Sequence, residues 1–375
     1  MKIMSDKLAK KIVLAIVIVT FACFLIKINS FEKVQLISTE GQSYEKAVVT
    51  EITKDNLQED GNRYGNQEVR VQVKTGKLKG KEIDAINPNG TLFGSDCTIG
   101  TNVIVIISST GEDAYATVYS LDRSYAMWIF IFIFIFVVCI IGGMKGVKAV
   151  ASLAFTFICI VYMMFPLMYR GFSPILLSII VCIISTIVTL WMLGGVSRKT
   201  VSAIIGTSLG VIFAGIAAFL YGKAAGVSGY NVTDIETLTF VAQNTNIKIG
   251  QLLFAGIIIS SLGAVMDVGM SIASTIQEIY EVNNTLSRKE LFFSGINVGR
   301  DMMGTMINTL ILAYVGVSLS TLITNYAYDL SYNQLANSYT IAIEVMQGLA
   351  GSFGVVLTVP ITAAVSSFLV SRKYK

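Results

Sequence analysis

Asp267 stands inside the apolar run SLGAVMDVGMSIASTIQEI, residues 261 to 279, where a charge at bilayer depth costs about 2.5 to 3.5 kcal/mol on insertion scales. Ser260, Gly263, Asp267, Ser271, Ser274 and Glu278 follow at steps of three or four, so on a helix they form one polar face. A second stripe follows in SRKELFFSGINVGRDMMGTMINTL, where Asn297, Asp301, Gly304 or Thr305, and Asn308 share a face with Arg300 beside them. Asp267, Glu278, Asp301 and Glu344 outnumber Arg300. Acids in a low dielectric bind and release protons as burial disfavours their charged form, so such a lining suits a proton or cation better than a large anion.

These stripes need spans to carry them. The 375 residues are 54% hydrophobic and 14% charged, with a mean hydropathy of +0.68, which describes a polytopic membrane protein rather than a soluble domain. Apolar runs follow at about 12 to 28, 126 to 143, 147 to 168, 174 to 193, 201 to 221, 250 to 273, 302 to 323 and 343 to 367. Those after Arg123 are long enough for the roughly 20 residues of a crossing. The expectation is about eight transmembrane helices, the first (residues 1 to 29) a retained anchor rather than a cleaved signal peptide, because no A-x-A site follows it.

Residues 30 to 123 break the pattern, with 14 acidic and 10 basic side chains. QEVRVQVK alternates with period two, and TNVIVIISS and AYATVYSL read as further strands. This predicts a small extracytoplasmic all-β domain, barrel or sandwich and OB-like as one option, followed by a seven-helix membrane domain at 124 to 375. Its mixed charge and lack of a basic aromatic stripe argue against nucleic acid.

With a cytoplasmic N-terminus, thirteen Lys and Arg residues fall inside, and Arg170, Lys223 and Lys248 fall in the short outer loops. That bias puts both termini in the cytoplasm and the β-domain outside. Counting about 1.5 Å per residue from Gln251 at the outer end, Asp267 lies roughly 24 Å into a core of about 30 Å. Arg300 and Asp301 enter from the cytoplasm to about the same depth, so Arg300 is the expected counter-ion of Asp267. The same pair also reads as a purely structural bridge between two helices. Ser287 and Glu290 match a capping box and predict a short interfacial helix there.

Ser202, Gly206, Gly210, Ala214, Ala218 and Gly222 recur every fourth residue, and Gly348, Gly351 and Gly354 lie in the last run. Both sets read as helix-packing seams, with Pro360 able to kink the last span. Glu344, near the outer end of that span, either extends the pathway or sits at the interface.

The chain has no histidine, which removes histidine relays, HExxH zinc chemistry and Ser-His-Asp triads. Its five cysteines show neither a disulfide framework nor a CxxC site, so no metal, no cofactor and no enzyme activity are expected. An intramembrane aspartyl hydrolase using Asp267 and Asp301 is the catalytic alternative. Arg300 weighs against it by holding one acid ionised, and its GxGD pattern is missing.

GAVMDVGMSIAS (263 to 274) and GRDMMGTMINTLILAYVG (299 to 316) are similar to the signatures of the YibE/F-like family of bacterial multi-pass membrane proteins. The resemblance covers about residues 125 to 370, and the anchored β-domain before it resembles the long, YibE-type member. It implies the membrane architecture, the choice of Asp267, Arg300, Asp301 and Asn308, and a shorter YibF-like partner protein. It names no substrate. The expectation is a permease or secondary transporter of an unknown small solute or ion, set in the lipid of the bacterial cytoplasmic membrane and coupled to a proton or cation. The alternative is a non-catalytic assembly or sensor subunit acting through the β-domain.

Overall fold

A computed structural model of the chain describes residues 2–371, apart from 60, 62, 89–95, 111–112, 231 and 233. Contacts divide it into two compact units, one of Met1–Val34 with Ile141–Lys375 and the other of Gln35–Ile140.

The second unit holds strands β1 (Gln42–Lys54), β2 (Gln67–Val73), β3 (Glu82–Asn87), β4 (Asn102–Thr110) and β5 (Asp113–Leu121). They close as a barrel in the order β1-β2-β3-β5-β4, so the barrel and not the sandwich forms. The period-two pattern is obeyed: Gln67, Val69, Val71 and Val73 point inward from β2, and the three valines meet Val49, Val103, Val105 and Val118 in the core. Closure depends on pairings far apart in sequence, Gln42 with Ser108 between β1 and β4, and a parallel match of Ala85 with Ala116 between β3 and β5.

At the end of β5, Asp122 pairs with Lys46 at 2.8 Å and accepts the Ser124 backbone N–H at 3.1 Å. The Lys46 hydrogen bond, then the Ser124 hydroxyl, hold this carboxyl below the ordinary aspartate range. A depressed folded value means that the stabilisation is complete above the unfolded value of about 3.9 and is lost as pH falls through the folded one. Asp122→Asn is therefore expected to lose about 0.5 kcal/mol at neutral pH, the pair being half exposed at Lys46. It should also flatten the acid limb of barrel stability below about pH 4, measured by hydrogen exchange of β1.

The remaining elements are helical: α1 (Lys2–Asn29), α2 (Ser124–Tyr169), α3 (Pro174–Gly194), α4 (Arg198–Ala224), α5 (Ile235–Asn244), α6 (Leu252–Val282), α7 (Arg288–Val317), α8 (Leu319–Ala327), α9 (Tyr332–Ala336) and α10 (Tyr339–Val370). Among the described residues, five helices are long and apolar enough to cross a membrane, or six when α7 and α8, bent by 62° at Ser318, count as one span. The runs expected at 126 to 143 and 147 to 168 lie in the one 46-residue stretch of α2. Gly143 interrupts it at φ 52°, ψ −137°, a backbone state that side-chain-bearing residues rarely adopt. The first run contributes an apolar helix over Ala15–Asn29.

Within the first unit, a π-helical turn over Ile160–Met164 is followed by Pro166, which has no N–H to donate, and the Tyr162 carbonyl lies in that turn. The Asn29 side chain donates to that carbonyl at 2.8 Å, while Arg170 donates to the Ile28 carbonyl at 2.7 Å. These bonds tie the end of α1 to the end of α2. The bundle core is built mainly by α3, α4, α6, α7 and α10, with Ile258, Val265, Ile272, Ile276 and Val359 at its centre.

Candidate functional site

All six members of the four-residue stripe, Ser202, Gly206, Gly210, Ala214, Ala218 and Gly222, are buried on α4. A Cβ at Gly206 would stand 1.9 Å from Thr362 Oγ1, and one at Gly210 1.8 Å from Thr358 Oγ1, so α4 and α10 approach at backbone distance. Gly348, Gly351 and Gly354 are buried on α10. The other wall of this seam, Thr358, Thr362 and Ser366, escaped the sequence reading, although its spacing of four was legible in TVPITAAVSSF. Thr207, Thr362 and Ser366 are fully buried with hydroxyls that find no partner among the described residues.

The acidic stripe lies elsewhere. On α6 the apolar residues Val265, Val268, Ile272 and Ile276 face the core, and the opposite side carries Ser260, Gly263, Asp267 and Glu278, all exposed, with Ser271 and Ser274 half-buried. α7 behaves alike. Leu291, Gly295, Gly299 and Leu310 are its buried side, while Asn297, Arg300, Asp301, Gly304, Thr305 and Asn308 are exposed. The Ser287–Glu290 capping box forms, but it opens the full 30-residue α7 rather than a short separate helix.

Two glycines fix α7 against its neighbours. A Cβ at Gly295 would meet Ile276 at 2.6 Å, and one at Gly299 would meet Val359 at 2.3 Å and Ile272 at 3.1 Å. Continuing that antiparallel register brings Asp267 level with Gly304, about one helical turn from Arg300. The expected Asp267–Arg300 ion pair is not formed, and both side chains are exposed. Asp267, Arg300 and Asp301 make no ion pair or side-chain hydrogen bond among the described residues. Ser260 Oγ and the Tyr314 hydroxyl, 2.6 Å apart, do join the two helices. Tyr314 was not singled out in the sequence because an isolated tyrosine in an apolar run carries no periodic signal.

Glu344 is half-buried on α10 and borders a cavity of about 280 Å³ together with Ile311, Tyr314, Ser318 and Leu322. Its Oε2 and the Ser318 hydroxyl are buried without a partner among the described residues. The structure thus brings Glu344 beside the C-terminal end of α7, apart from Asp267 and Asp301.

Compared with known proteins, residues 130–372 match the model of a family described as YibE/F-like protein. No curated protein and no solved structure matches the chain.

Proposed function

The chain belongs to the YibE/F-like family and is a multi-pass membrane protein, and from that premise we propose that it is a permease or secondary transporter whose polar site is built on α6 and α7. One observation carries the reading: Asp267 and Asp301, with Asn297, Thr305 and Asn308, occupy exposed faces of two adjoining helices, and neither acid has an ion-pair partner among the described residues. A carboxylate at membrane depth is a functional group by default, because evolution tolerates its cost only where something uses it or offsets it. Asp267 takes up and releases the coupling proton or cation, and Asp301 and the amides supply the neighbouring ligands. The thirteen-to-three bias of basic residues supports cytoplasmic termini in a bacterial inner membrane, with the barrel outside. A shorter YibF-like protein is its expected companion from the family resemblance.

In liposomes holding the full chain, Asp267→Asn is expected to lower solute-dependent proton or cation flux at least about 10-fold. A single transition-state interaction worth about 1.4 kcal/mol accounts for that factor. Folding should survive, since the side chain is exposed and makes no ion pair or side-chain hydrogen bond among the described residues. Unchanged flux in the variant would remove the coupling role.

A second reading, an assembly or sensor subunit, draws on the barrel being a compact unit with its own core. Deleting residues 30 to 123 discriminates: loss of partner binding, in a protein that shows no flux when intact, selects the scaffold.

A further inference from the structure

The outward faces of the bundle differ in kind. α3 exposes Leu176, Ile180 and Ile187, and α4 exposes Ile205, Phe213 and Ile216, as faces against lipid tails do. α6 exposes no large apolar side chain between Leu252 and Glu281, and α7 exposes none between Ser294 and Ile311. In their place stand Asp267, Arg300 and Asp301, with two glycines, Gly263 and Gly304, over which a Cβ would meet nothing within 4 Å. Bare glycines on an outward helix face admit close approach of another backbone, and a charge there needs a partner in the absence of water. The Ser260–Tyr314 bond makes the two strips neighbours.

We infer that this face is the contact between two copies of this chain, arranged about a two-fold axis along the membrane normal. Charge complementarity combined with depth favours a second copy as the occupant. Such an axis keeps every residue at its own level, and a two-fold contact is self-complementary. Arg300 and Asp301 are adjacent in sequence and therefore nearly equal in depth, so Arg300 of each copy meets the partner's Asp301. Gly304, one turn deeper on the same face, lets the two α7 helices come close enough for that pair to form. Asp267 remains as the surplus acid, now enclosed between copies rather than turned to lipid. The polar site proposed above is complete only in the pair, yet the contact stands independently of transport.

The test uses the full chain with its five native cysteines replaced by serine, expressed in its membrane. Thr305→Cys on the inferred contact and Ile216→Cys on the apolar face of α4 are each treated with a short bis-maleimide. Thr305→Cys is expected to give a product of twice the chain mass at least 10-fold more abundant than Ile216→Cys. Adding Gly304→Leu, whose Cβ would meet nothing within 4 Å among the described residues, should remove that product while the protein stays folded. Between differently tagged copies, Arg300→Asp should abolish co-purification with itself and restore it with an Asp301→Arg copy. Equal crosslinking at both positions, indifference to Gly304→Leu, or a product whose mass fits a different polypeptide would each overturn the inference. Because the readout is association, a failed transport assay leaves it untouched, and a failed crosslink leaves the flux result standing.

Discussion

Gly210→Leu is expected to lower the yield of folded protein at least 5-fold and to destabilise what remains by about 3 kcal/mol, the upper end of ordinary overpacking. The reason lies in what the new side chain meets. Its Cβ alone falls 1.8 Å from Thr358 Oγ1, 2.7 Å from Val265 Cγ1 and 3.1 Å from the Gly354 carbonyl oxygen. The threonine is itself committed, donating to that same carbonyl at 2.8 Å. Only a separation of α4 from α10 relieves the clash, and that separation loosens the most extensive helix pair in the bundle. Gly263→Leu is the control, since it enters open space and should leave monomer stability within about 0.5 kcal/mol. Thermal unfolding in detergent reads both, and equal midpoints for the two variants would refute the close approach.

Gln67→Met is expected to unfold the barrel selectively. Gln67 is 1% exposed and occupies an inward position that the alternation of β2 otherwise gives to valine. Its amide donates to Asp55 Oδ1 at 3.1 Å and to the Cys97 carbonyl at 3.0 Å. Its oxygen accepts from Asn87 at 3.1 Å and from the Cys97 N–H at 3.3 Å. Methionine keeps the volume and removes four bonds, so at about 1 kcal/mol each the loss is about 4 kcal/mol, a large part of what a domain this small has to lose. Hydrogen exchange of the full chain is the measurement. Amides of β2 and β4 should exchange at least 100-fold faster, and those of α4 and α10 should be unchanged because they belong to the other compact unit. Loss of protection in both units would show that they do not unfold separately.

The sequence revealed periodicities and withheld neighbours. QEVRVQVK exposed the inward row Val69, Val71 and Val73 because period two is local. The closure of β1 on β4 joins residues 54 to 66 positions apart, from Val48 with Asn102 to Gln42 with Ser108, which no short window of the sequence contains. The same limit applies to the helices. Steps of three and four placed Asp267 with Ser260 and Gly263, and Asp301 with Asn297 and Asn308, on single faces. They did not say toward what those faces turn, and the structure turns them outward. Depth counting paired Asp267 with Arg300, but packing of Gly295 and Gly299 sets a register one turn away from that match. The break at Gly143 was legible only as a gap between apolar runs, since a positive φ leaves no mark on composition.

The two glycines at the back of α7 have a geometric consequence for its front. Ile276, Ile272 and Val359 fit against bare backbone at Gly295 and Gly299, as a key fits a slot. Rolling the helix by a single residue would drive Arg300 or Ser294 into those side chains, so the helix has one admissible azimuth. The bearing of the charged face is therefore set by two residues that carry no charge and lie on the opposite side. Filling either slot would swing that face about the helix axis without altering any of its residues.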